Sequence, residues 1–174
     1  MTEHPTQPCA HPADPSASDP APPEATARPG ENTPAPYVAA RITTDPLDLR
    51  AAQAAVTTAE TGAAVVFSGV IRNHDEGRTD VVALDYTAHP DAAAIIAEVV
   101  ARVATEHPGV RVDAAHRIGP LHVGEDALVV AVASAHRAEA FACCAALVDA
   151  IKAEVPIWKR QDYAGGDHSW VGLA

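Results

Sequence analysis

Ser134–Arg160, SAHRAEAFACCAALVDAIKAEVPIWKR, decides how the rest of the chain is read. Ser134 suits a helix N-cap, and Phe141, Cys144, Val148 and Ile151 recur at the spacing of one apolar helical face. Pro156 forces the chain out of helical geometry, and Ile157–Gln161 reads as a short extended run. Immediately upstream, Ala127–Ala133 (ALVVAVA) has the β-branched content of a central strand. Strand, long helix, strand is therefore the local plan, and the helix needs a sheet to cover.

The same stretch concentrates unusual cations. The chain has two lysines, Lys152 and Lys159, and both fall here. His136 and Arg137 occupy the first turn of the expected helix, where cations oppose the helix dipole at a cost of about 0.3–1 kcal/mol. An anion held by free backbone N–H groups, an arginine fork and an imidazole removes that conflict. The alternative is that Arg137 extends into water or pairs with an acid such as Glu139. Lys152 falls in the last turn, where it complements the dipole whatever else it does. Lys159 and Trp158 point to opposite faces of the extended run, so burial of Trp158 turns Lys159 to the open side. A partly desolvated lysine beside a second cation suits an acid, base or nucleophile role.

Arg137 and Lys152 are 15 positions apart, roughly 22 Å along a straight helix at ~1.5 Å per residue. One small ligand does not span that within a single chain. Either there are two sites, or two copies bring opposite helix ends together.

Working outward, Tyr37–Ile42 fits a first strand. Asp45, Pro46 and Asp48 mark a helix start, with Gly62 closing a helix that runs to about Ala59. Ala63–Val70 reads as a buried strand, 71–78 as a polar loop, and Val81–Thr87 as another strand. After Pro90, Ile96, Val99, Val100 and Val103 form an apolar helical stripe, ended by Pro108 and Gly109. Val110–Ile118 is a strand, Gly119 and Pro120 a turn, and Leu121–Glu125 a short strand with a corner; Gly165 and Gly166 form a later turn. This order predicts an α+β fold in which about three helices cover one side of a mostly antiparallel sheet.

Composition narrows the function. Ten of the 15 prolines lie in residues 1–36, which hold no aromatic residue, so a disordered acidic tail is expected before a single folded domain over 37–174. A net charge of -11 argues against general affinity for nucleic acid or acidic membranes. Three cysteines, Cys9 and the adjacent Cys143 and Cys144, make neither a disulfide framework nor a metal knuckle, and a reducing cytoplasm is the simplest setting. Cys143 and Cys144 read as buried small hydrophobes. No signal peptide or membrane span is evident, no metal or nucleotide motif occurs, and no cofactor is expected.

Gly69–His74 (GVIRNH), His116–Gly119 (HRIG), Ser134–Arg137 (SAHR), Lys152 and Pro156–Arg160 (PIWKR) together resemble the MoaE family, the large catalytic subunit of molybdopterin synthase. Order and spacing agree from about Tyr37 to Val171. The resemblance implies an α/β-hammerhead-type fold and a homodimer of large subunits. Each copy is expected to bind a small ubiquitin-like sulfur-carrier subunit ending in a Gly-Gly thiocarboxylate, giving a heterotetramer.

The implied reaction transfers sulfur to cyclic pyranopterin monophosphate, forming the dithiolene of molybdopterin without a metal. Val70, Ile71 and Arg72, with His136 and Arg137 from the other copy, are implied to hold the substrate. Lys152 is implied to meet the thiocarboxylate and move a proton. Lys159, with Arg160 and Gln161, is implied to line the same pocket. Gln161 stands where the family pattern has an acid, so no carboxylate role carries over. The chain also stops soon after Trp170 and Val171, where relatives continue with a charged segment. An alternative reading is a non-catalytic anion-binding adaptor that docks a ubiquitin-like partner.

Overall fold

The computed structural model describes residues 36–75 and 77–172. The segment expected to be disordered, 1–36, lies outside them apart from Pro36. Eight strands and three helices follow in the order β1 (Val38–Thr43), α1 (Leu49–Val56), β2 (Ala63–Val70), β3 (Val81–Ala88), α2 (Ala92–Glu106), β4 (Arg111–Arg117), β5 (Gly119–His122), β6 (Asp126–Ser134), α3 (Arg137–Glu154), β7 (Ile157–Tyr163) and β8 (His168–Val171). They form two four-stranded sheets, ordered β1-β4-β6-β2 and β5-β3-β7-β8. Only the β1–β4 pairing is parallel; the others are antiparallel. The α+β class agrees with expectation, whereas the single sheet becomes two.

β6 organises the first sheet, as its unbroken apolar run predicts. Its residues alternate between two cores: Leu128, Val130 and Val132 pack under α2 and α3, and Val129, Ala131 and Ala133 under α1. Helices therefore cover both faces of this sheet, because a strand apolar on both sides needs cover on both. The α2 stripe is as read: Ile96, Val99, Val100 and Val103 are all buried. Each such side chain contributes roughly 1.5–3 kcal/mol relative to an exposed one.

Several boundaries move for local reasons. The α1 cap is Asp48, not Asp45: its carboxylate accepts from the N–H groups of Arg50 and Ala51 at 2.9 and 3.0 Å. The helix stops at Val56, short of Ala59, with Thr57 extended at its end. β2 is a half-buried edge strand rather than a buried one. Gly119 and Pro120 begin β5 instead of turning, and the corner lies at His122–Glu125 around Gly124, whose φ is +93°.

The α3 reading changes most. Ser134 ends β6, and its hydroxyl donates to the His136 carbonyl at 2.6 Å while accepting from the His136 N–H; His136 takes the N-cap position without a side-chain cap. The buried face is Ala140, Cys143, Cys144, Leu147 and Ile151. Phe141 is 63% exposed. Small residues turn inward here because α3 lies close to β6, where the Cys144 thiol meets the Val130 carbonyl at 3.9 Å. Burial pushes the Cys143 thiol up to about 12, so it behaves as a small hydrophobe.

Candidate active site

The Ile71–Arg78 loop, β3, the end of α3 and β7 converge on a cavity of about 290 Å³, lined by Val70, Ile71, Arg72, His74, Asp75, Leu84, Tyr86, Lys152, Lys159 and Gln161. Six of the residues singled out from sequence meet here: Val70, Ile71, Arg72, Lys152, Lys159 and Gln161. A second cavity of about 280 Å³ shares Tyr86, Lys152 and Lys159, and adds His116, Ile157, Val171 and Gly172. The two lysines thus border both spaces.

Strand alternation in β7 sets the directions. Ile157, Gln161 and Tyr163 are buried and Trp158 is 40% exposed. The two side chains point to opposite faces: Trp158 takes the outer one, and Lys159, with 26% of its side chain exposed, turns inward to the cavity. Arg160 falls on the outer phase. It is not among the residues lining either cavity, and its guanidinium bonds Asp162 at 3.0 and 3.1 Å and faces Asp85 at 3.8 Å.

Three cations border the first cavity, and they are treated differently. Asp75 bridges two of them, accepting from Arg72 Nη2 at 2.8 Å and from Lys159 Nζ at 2.9 Å. The Lys159 hydrogen bond, with a smaller contribution from Arg72, holds the Asp75 carboxyl down at about 2. Lys152 has no carboxylate at ion-pair distance among the described residues. Gln161 is 1% exposed, and its side-chain nitrogen has no hydrogen-bond partner among the described residues.

His116 stands beside Lys152 on the second cavity. Its Nδ1–H donates to the Arg117 carbonyl at 2.8 Å, because a carbonyl can only accept, and its ring meets Tyr86 edge-on at 5.2 Å. Burial pushes its pKa down to about 4, with the Lys152 charge acting the same way and the Arg117 bond opposing. A neutral imidazole adds no charge to a region already rich in cations.

His136 and Arg137 lie at the far end of α3, exposed, and line neither cavity. Glu139 faces His107 at 3.6 Å, so Arg137 does not use it as a partner. Their backbone is set by Gly62, whose N–H donates to the Ser134 carbonyl at 3.0 Å and where a Cβ would stand 2.4 Å from the Ala135 oxygen.

The lining residues not singled out from sequence are Asp75, Tyr86, Leu84 and His74. The Asp75 contact with Lys159 joins positions 84 apart, and no local pattern announces it. Tyr86 sits in an ordinary strand. Among the described residues no group of three or more His, Cys, Asp or Glu is placed to hold a metal ion, and no helix is long and apolar enough to cross a membrane.

Comparison with known proteins gives the family and the fold. The family described as MoaE protein matches residues 42–154. The molybdopterin synthase catalytic subunit of a Nostoc species is 39% identical over 134 residues, covering 76% of this chain and 81% of the relative. Molybdopterin synthase catalytic subunit 1 of Mycobacterium tuberculosis is 37% identical over 137 residues, covering 78% and 92%. The crystal structure of molybdopterin synthase from Staphylococcus aureus superposes with a TM-score of 0.70 at 29% identity, over 76% of this chain and 96% of that one. Sequence match, fold and the shared length of these relatives place the chain in the MoaE family, that of molybdopterin synthase catalytic subunits.

Proposed function

We propose that this chain is the sulfur-transferring large subunit of molybdopterin synthase, acting on cyclic pyranopterin monophosphate with a small ubiquitin-like carrier subunit as sulfur donor. The observation that carries the reading is the convergence of Arg72, Lys152 and Lys159 on one cavity in a chain of net charge -11. Both reactants are anionic, and a local cationic pocket on an acidic protein selects them without general anion binding. Lys152, without a carboxylate partner among the described residues and bordering both cavities, receives the thiocarboxylate end of the carrier and moves a proton at the reacting sulfur. Lys159 stabilises the charge that develops as sulfur attacks and the phosphate ring opens. Arg72 holds the phosphate through its fork. Gln161, neutral and lining the cavity, leaves that balance of charge cationic.

His136 and Arg137 enter this scheme from a second copy. What supports a second copy is an apolar groove of about 390 Å³ between β2 and α3, lined by Val65, Phe67, Phe141 and Val148 among others, beside the open edge of β2. Two α3 helices packed antiparallel across that groove would set the Arg137 end of one near the Lys152 end of the other. A cytoplasmic setting accords with the free, buried Cys143 and Cys144.

The test mixes the protein with thiocarboxylated carrier and cyclic pyranopterin monophosphate and follows dithiolene formation. Lys152→Ala is expected to lose turnover while still binding the carrier, and so is Arg137→Ala. Mixed dimers of the two variants regain activity, since one of their two sites then carries neither change. No product from the wild type overturns the sulfur-transfer reading, and no recovery in mixed dimers overturns the shared site.

A further inference from the structure

Among the described residues Asp75 is the one acid lining the cavity, and nothing in the proposed reaction uses it. Both of its oxygens are committed, one to Arg72 and the other to Lys159, and 16% of its side chain is exposed. A carboxylate so placed marks where an anion fits: two cationic groups are held at the spacing that a pair of oxygens on one ligand atom can bridge, which a phosphate or carboxylate of a ligand also presents.

We propose that Asp75 is an internal stand-in for the ligand's anion, holding the place between Arg72 and Lys159 that an anionic group of the ligand takes on binding. This rests on the assignment of the cavity as the substrate pocket and adds how that pocket selects its ligand. A ligand anion at Lys159 with Asp75 still in place puts two negative charges side by side, which costs several-fold in affinity at such distances. With the Lys159 bond holding its carboxyl down at about 2, Asp75 is ionised when the ligand arrives, and moving it off Lys159 relieves the repulsion. The side chain has to leave.

Its surroundings permit that. The Asp75 backbone is fixed by a reciprocal pair of hydrogen bonds with Arg78, at 3.0 and 2.9 Å, across a tight turn in which Gly77 has a φ of +84°. The turn is anchored separately: Arg78 bonds Asp80 and Asp167 and lies over the Tyr163 ring, 3.5 Å from its centre. None of those contacts involves the Asp75 side chain. The exchange is therefore a rotation of one side chain over a fixed loop. A neutral ligand lacks the charge to displace the carboxylate from its two cations, and Asp75 acts as a specificity-determining residue that admits anions.

Inorganic phosphate is the probe, titrated calorimetrically into the full chain. Asp75→Asn and Asp75→Ser are expected to bind it about tenfold more tightly than wild type or better, from removal of a competing charge at contact distance. Asp75→Glu, which restores the charge, returns the affinity towards wild type. Asp85→Asn is the control for net charge alone, since Asp85 faces Arg160 and lines neither cavity. It is expected to stay within about twofold of wild type, since Asp85 is partly exposed and faces Arg160 rather than Arg72 or Lys159, so its charge is screened from the ligand.

Equal or weaker phosphate binding by the neutral Asp75 variants overturns the proposal and makes the acid a strut that orients the cations. An equal gain in Asp85→Asn overturns it as well. So does the absence of phosphate binding in every variant, or failure of both neutral variants to fold. Phosphate binding does not require sulfur transfer. A protein that shows the exchange yet forms no dithiolene refutes the reaction and leaves Asp75 as assigned, and an active enzyme without the exchange does the reverse.

Discussion

His116 makes the stability of this protein depend on pH through one buried ring. Folded, its pKa is about 4, chiefly because burial disfavours the imidazolium; unfolded, it returns to ~6.5. The unfolded chain therefore binds the proton more readily. The stability contributed by a neutral His116 is complete above about pH 6.5 and is lost as pH falls through the window towards about 4. Linkage gives a loss of about 2 kcal/mol between about pH 7.5 and about pH 5, approaching about 3 kcal/mol below both values. The assay is urea unfolding followed by far-ultraviolet circular dichroism at a series of pH values, for wild type and His116→Gln. Glutamine keeps an N–H donor for the Arg117 carbonyl but does not titrate. The variant's absolute stability is free to differ, since the ring also packs on Tyr86. Its loss between the two pH values should be smaller than that of wild type by about 2 kcal/mol. Parallel losses in the two proteins would refute the reasoning, because the proton uptake would then belong to other groups.

Two further predictions concern the elements that place the site. Gly62→Ala puts a methyl group 2.4 Å from the Ala135 oxygen, on backbone that leads into α3, and should destabilise by about 1–3 kcal/mol in the same unfolding assay, with faster amide exchange at the start of α3. Asp48→Ala removes the carboxylate that accepts from Arg50 and Ala51, and should cost ~1 kcal/mol, while Asp48→Asn keeps most of it.

Sequence periodicity alone determined much of the framework. The α2 stripe, the β6 run and the break at Pro156 are local features, expressed within one or two turns or a few strand residues, and the structure keeps each of them. The concentration of both lysines in one stretch was equally plain. Tertiary structure alone decided which faces those elements bury. Phe141 has the right spacing to join Cys144, Val148 and Ile151, yet it lies outside, because close packing of α3 on β6 favours the Ala140 and Cys143 side. Trp158 and Lys159 lie on opposite faces, as strand alternation requires, but the neighbours of β7, not the strand's own composition, determine which phase is enclosed. Asp75 enters the site only when the loop after β2 folds against β7. Patterns repeat over short distances along the chain and can be read there, whereas an ion pair between positions 84 apart exists only once two sheets have been assembled.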